Sequence, residues 1–166
     1  MSTQDLLAPV RAWLRAGAES GGPGAPLEAV LSTVDAAGKA DAHWIRLSRV
    51  DHGVVFGASH GSDLGLDLAL ESAAVLCVHA PRGPQRARIA CVATRLDPLD
   101  SDRLFDELDR HAQLRTWLPG RDNPEADTLA VVRFRFNGQL IPRPHAWGGY
   151  RLLPTAVELG TAIPLH

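Results

Sequence analysis

Lysine is almost missing from this chain. Lys39 stands alone among 17 lysine and arginine side chains in 166 residues. It sits in a turn-like D-A-A-G-K-A stretch, so chemistry that needs a buried amine, such as a Schiff base, has no residue to use. Cysteine is scarce too: Cys77 and Cys91 lack C-x-x-C spacing, no zinc or redox motif is present, and no metal site is expected. Both read as small buried hydrophobes in a reducing compartment. Charge of one sign is also lacking. A net charge of −2 and a pI near 6.4 give no field to attract nucleic acid or an anionic membrane. No run approaches 18 apolar residues, and the opening MSTQDLLAPVRAWLRAG has no signal-type apolar core. These absences predict a cytoplasmic protein with no nucleic-acid and no membrane partner.

What is present suffices for one core. With 45% hydrophobic residues, no internal repeat and no long linker, residues 1–166 read as a single domain. Leu6, Leu7, Val10, Trp13 and Leu14 recur at helical spacing, predicting a helix over about 3–16 that the G-A-E-S-G-G-P-G stretch ends. From Leu27 the pattern alternates through LEAVLSTV, DAHWIRLSRV and GVVFGAS, separated by Gly and Asp turns. A short helix after Ser62, the strands AAVLCVHA and QRARIACVATRL, and a helix over SDRLFDELDRHAQLRTWL capped by Ser101 follow. TLAVVRFRFNG reads as a half-exposed strand, and WGGYRLLP and TAVELG as two short closing strands. The fold class expected is α+β: an antiparallel split β-barrel with short flanking helices, closed so that no sheet edge is left open.

Three stretches, in order along the chain, carry a resemblance to a known family. They are LEAVLSTVDAAGKADAHWIRLSRVDHGVVFGASHGSD, QRARIACVATRLDPLDSDRLFDELDRHAQLRTW and PRPHAWGGYRLLPTAVEL. The most specific piece is P-x-P-x-x-W-G-G-Y-R, at Pro142, Pro144, Trp147, Gly148, Gly149, Tyr150 and Arg151. On these residues the chain resembles the pyridoxamine 5′-phosphate oxidase family. The resemblance implies a split-barrel homodimer with two FMN sites at the subunit interface and hydride transfer from a small-molecule substrate to the flavin.

Matched residue by residue, the resemblance also implies a changed cofactor site. The family's Arg-x-V-L-L-Lys strand falls on His43 to Ser48, so both phosphate-gripping cations are replaced. Its Ser-Arg-Lys helix start falls on Ser62, Asp63 and Leu64, which sets a carboxylate against a phosphate. The flavin-contacting Gln falls on Arg86, or on Gln85 one register earlier, and substrate-phosphate positions fall on Leu104, Leu108 and Ala112. The family's C-terminal F-W falls on Leu159 and Gly160, and of the R-L-H-x-R that follows only His166 survives. FMN is the implied cofactor, with weak or absent binding expected, and the substrate expected is a non-phosphorylated small molecule rather than a phosphorylated vitamin.

The candidate cofactor contacts are His43, Arg46, Ser48, Ser62, Arg86 and Arg121, and the catalytic candidates are His43 and His166, because imidazole titrates near neutrality. Each has a plain alternative: His43 and His60 as polar surface residues, Ser62 as a helix cap, and Arg133 with Arg135 as a solvated sheet face. Trp147 reads as a plug in the barrel mouth. Two functions stand side by side. One is a flavin-type oxidoreductase retuned for a non-phosphorylated small molecule, as in secondary metabolism; the other is a flavin-free barrel that binds a small molecule or catalyses a non-redox step. Haem binding through one histidine is a third, with no C-x-x-C-H signal behind it.

Overall fold

Turn chemistry and alternation dictate the strands. The computed structural model describes residues 6–20, 27–118 and 126–161. Strand β1 (Leu27–Val34) turns into β2 (Ala40–Val50) where the Asp35 carboxylate accepts from the Ala37 and Lys39 N–H groups and Gly38 takes φ +77°. Strand β3 (Val54–Ser59) follows, then helix α2 (Asp63–Leu70), β4 (Ala73–His79) and β5 (Gln85–Arg95). The last strand, β6 (Trp147–Thr161), closes an antiparallel barrel in the order β1-β2-β3-β6-β5-β4. Along β1, Leu27, Ala29, Leu31 and Thr33 point in; along β5, Ala87, Ile89, Cys91 and Ala93 do. Leu31, Leu76, Ile89 and Leu152 are fully enclosed, and burying each contributes about 1.5–3 kcal/mol. Helix α1 (Ala8–Ser20) adds Val10 to this core, Leu7 just before it adds another buried side chain, and Arg11 ties the helix down by donating to Val50 O (3.0 Å) and Asp51 O (2.7 Å).

A second core lies outside the barrel, under α3 (Pro98–Asp106), α4 (Arg110–Arg115) and α5 (Ala126–Arg135). Val55, Leu104, Phe105, Leu114, Phe136, Ile141 and Trp147 fill it. Trp147 therefore packs against the outer wall and not in the barrel mouth: its ring lies over Gly57 and meets Phe105 edge-on at 5.5 Å.

Several local expectations need correction. TLAVVRFRFNG is helical: although V-R-F-R-F alternates, the residues turned to the second core are Leu129, Val132 and Phe136, spaced three and four apart. Arg133 and Arg135 therefore do not share a sheet face. The two closing strands are one 15-residue strand, with Thr155 as the extra residue where pairing jumps from Cys91↔Pro154 to Ala90↔Ala156. Proline is accommodated at such a bulge. The single helix after Asp100 is two, each capped by an aspartate (Asp97 and Asp109), with Pro98 in the first turn of α3. Ser101 is buried inside α3, where its Oγ accepts from Gly149 N–H at 3.1 Å. Helix α1 runs through Gly17 to Ser20. Cys91 is buried, and burial pushes its thiol up to about 11, but Cys77 is exposed.

Candidate functional site

Alternation along β2 separates the candidate residues. Arg46 and Ser48 face outward, and Arg46 lies 4.0 Å from Glu28. His43 shares the parity of buried Ile45 and Leu47 and turns toward the end of the barrel, where α2 packs. Its Nε2 lies 3.1 Å from Thr33 Oγ1, 3.2 Å from Asp67 Oδ2 and 3.5 Å from Asp41 Oδ2. Asp67 is 5% exposed, and Thr33 donates to its Oδ2 at 2.6 Å. The sequence reading missed Asp67 and Asp41. A signal existed in D-L-G-L-D-L-A-L, where a lone carboxylate sits in the middle of an apolar helix and must find a partner once buried.

The start of α2 is occupied by its own cap. Ser62 Oγ accepts from Gly65 N–H (3.2 Å) and donates to Ser59 O (2.7 Å), so the hydroxyl is committed. Asp63 next to it is exposed, while Leu64 is buried in the barrel core. These positions offer a phosphate one exposed carboxylate and no arginine or lysine, so they do not form a phosphate cradle. Leu104 is buried in the second core with Leu108 packed against it, and neither grips a polar group. Arg121 and His166 lie outside the described residues.

The outer face of β4, β5 and β6 carries an open groove of about 400 Å³ lined by Cys77, His79, Arg86, Arg88, Glu158 and Gly160 among others. This is the size range of small-ligand sites. The register aligns His79, Arg86 and Gly160 in one cross-strand row. A Cβ at Gly160 would meet only Arg86 Nε, at 3.8 Å, so position 160 borders open space beside Arg86. Arg88 is held by Glu158 at 2.9 Å, whereas Arg86 has no ion pair among the described residues. The neighbouring row runs Trp44, Val30, Cys77, Arg88, Glu158 across five strands, and Trp44 is 78% exposed. Arg46 and Arg86 stand three strands apart, roughly 14 Å along the curved sheet.

A third cluster sits at the end of β3. His60 Nδ1 lies 2.9 Å from the hydroxyl of Tyr150, whose ring stacks on Phe56. Burial and the positive charges of Arg95, Arg143 and His145 hold the His60 imidazole below its ordinary value, and burial raises the Tyr150 phenol. A Cβ at Gly148 would collide with His60 Nε2, so glycine there makes room for the imidazole.

No family model matches the chain. Two curated relatives are both described as pyridoxine/pyridoxamine 5′-phosphate oxidase. One, from Cytophaga hutchinsonii, is 30% identical across 99% of this chain and 81% of its own length. The other, from Cupriavidus necator, is 33% identical across 84% of this chain and 68% of its own. Among solved structures, PhzG from Burkholderia lata, in complex with tetrahydrophenazine-1-carboxylic acid, superposes with a TM-score of 0.77 at 22% identity, covering 94% of this chain and 79% of that one. A pyridoxamine 5′-phosphate oxidase-related, FMN-binding protein from Nostoc punctiforme gives 0.70 at 15% identity, covering 91% and 81%. No helix among the described residues is long and apolar enough to cross a membrane.

Proposed function

Because the chain belongs to the pyridoxine/pyridoxamine 5′-phosphate oxidase family, we propose that it is a homodimeric, single-domain flavin-type oxidoreductase that acts on a small, non-phosphorylated substrate and holds FMN weakly. The observation that carries this reading is the groove at Arg86 and Gly160. It lies where the family resemblance puts ring-contacting residues, it has the volume of a small-ligand site, and it presents an arginine with no ion pair among the described residues. When bound, a flavin supplies the hydride acceptor. The chain's own part is to offer Arg86 to an acidic group.

Dimerisation is supported by the same face. Trp44 stands 78% exposed on a five-strand surface that a second copy would cover, and aromatic side chains of this size are enriched at the cores of protein interfaces. The second reading, a flavin-free barrel that binds a small molecule, is favoured by one specific observation. His43 is engaged by Asp67 and Ser62 by its own helix, so neither is free for a phosphate.

A flavin-fluorescence titration of the protein against its Arg86→Ala variant separates the readings. Saturable FMN binding that weakens about tenfold or more in the variant supports the oxidoreductase, since a hydrogen bond to a charged group contributes about 1.5–3 kcal/mol. No quenching in either protein favours the flavin-free barrel.

A further inference from the structure

We propose that Asp41, His43 and Asp67, on two separate elements, form a binding site for one divalent first-row transition-metal ion at the end of the barrel beside α2. The argument starts from one atom. His43 Nε2 is surrounded by three oxygens: Thr33 Oγ1 at 3.1 Å, Asp67 Oδ2 at 3.2 Å and Asp41 Oδ2 at 3.5 Å. Thr33 already donates to Asp67 Oδ2, and an imidazole nitrogen carries one proton or one lone pair, so Asp41 Oδ2 at 3.5 Å receives no hydrogen bond from His43 while its charge faces that of Asp67 across the ring nitrogen. A cation between the nitrogen and the two carboxylates would bring these donors to one centre.

The spacing fits that occupant. The three donor atoms lie within 4.8 Å of one another. Bonds of about 2.0–2.2 Å to nitrogen and oxygen place neighbouring ligands of a tetrahedral or octahedral ion roughly 3.0–3.4 Å apart. The 3.2 and 3.5 Å separations from Nε2 are close to that range before any metal draws the ligands in.

The ligands are also held from outside. Thr33 donates to Asp67 Oδ2 at 2.6 Å, and the Ala42 N–H donates to Asp41 Oδ1 at 2.7 Å, which leaves Asp41 Oδ2 aimed at the histidine. Such outer contacts orient metal ligands. Asp67 has no arginine or lysine within ion-pair distance among the described residues, so its nearly buried charge depends on His43 or on an ion. Asp41, half exposed, leaves a route for the ion to enter and for water to complete its shell. One imidazole with two carboxylates suits Zn²⁺, Co²⁺ or Mn²⁺ better than soft or purely oxygen-seeking ions. The proposal does not depend on flavin.

The test is a titration of the chelator-treated full chain with Co²⁺, followed by its visible d–d absorption, and with Zn²⁺ by calorimetry. One ion per chain is expected. His43→Gln and Asp41→Asn should each weaken binding by at least the 10–100-fold that losing an outer contact typically costs, roughly. Asp67→Asn disturbs a buried position; Asp41→Asn, at a half-exposed one, keeps the test valid if the former fails to fold. Absence of saturable binding, or binding unchanged in both His43→Gln and Asp41→Asn, overturns the proposal.

Discussion

Replacing Gly57 by alanine should be costly only while Trp147 is present. Trp147 is 6% exposed and lies between β3 and Phe105, which its ring meets at 71°. A methyl group at position 57 would overlap Trp147 Cζ2 and stand 2.7 Å from Cη2. The ring has no open side to move into, so Gly57→Ala should destabilise by about 1–3 kcal/mol through overpacking. Trp147→Ala should cost about 3–5 kcal/mol from lost burial and the cavity left behind. At roughly 2–4 °C per kcal/mol for a chain of this size, Tm falls by about 6–20 °C. In the double variant the added methyl enters vacated space and its cost disappears, giving a coupling of about 1–3 kcal/mol. Denaturant unfolding of all four proteins measures this directly. Costs that add to within about 0.5 kcal/mol would refute the packing described, as would an unchanged Tm in Trp147→Ala.

Thr33→Val removes the hydroxyl that donates to buried Asp67 at 2.6 Å, and unfolding free energy should fall by about 1–3 kcal/mol; no loss would mean the carboxylate is satisfied otherwise. Burial alone raises the Asp51 carboxyl, but Arg151, donating at 2.8 Å, the Gly53 N–H at 3.0 Å and the charge of His52 outweigh it and hold the group below its ordinary value. A depressed folded value means the contribution is complete above the unfolded carboxylate range near 4 and is lost as pH falls through the folded value. Asp51→Asn should accordingly flatten the acid limb of a stability-against-pH curve, and an unchanged limb would contradict the pairing. A thiol reagent at neutral pH should label Cys91 only on unfolding; fast labelling of Cys91 in the folded protein would show that β5 is not packed as described.

Much of the barrel was legible because its turns and alternation are local. The Asp35–Lys39 turn, the Ser62 cap and the in–out pattern of β1, β4 and β5 all follow from nearest neighbours. Helix α5 was not, since V-R-F-R-F alternates like a strand and only packing against the second core selects the helical face. The site divided the same way. His43 and Arg86 were legible as positions through the resemblance, but the surroundings of His43 come from β1, β2 and α2 meeting in space, at sequence separations of 10 and 24 residues. The groove was illegible for another reason: only the cross-strand register brings His79, Arg86 and Gly160 into one row.

The flavin account turns on Asp63, the exposed carboxylate beside the Ser62 cap, and one titration addresses it. Leu64 belongs to the core, so the charge is best reversed at position 63 alone. FMN is titrated into the protein and into Asp63→Arg, with quenching of flavin fluorescence as the signal. The unmodified protein should purify colourless or faintly yellow and bind weakly, and the variant should bind about tenfold more tightly or better, as a charge-assisted contact to phosphate contributes about 1.5–3 kcal/mol. Stoichiometric yellow FMN in the unmodified protein, or a variant that binds no better, would contradict the account.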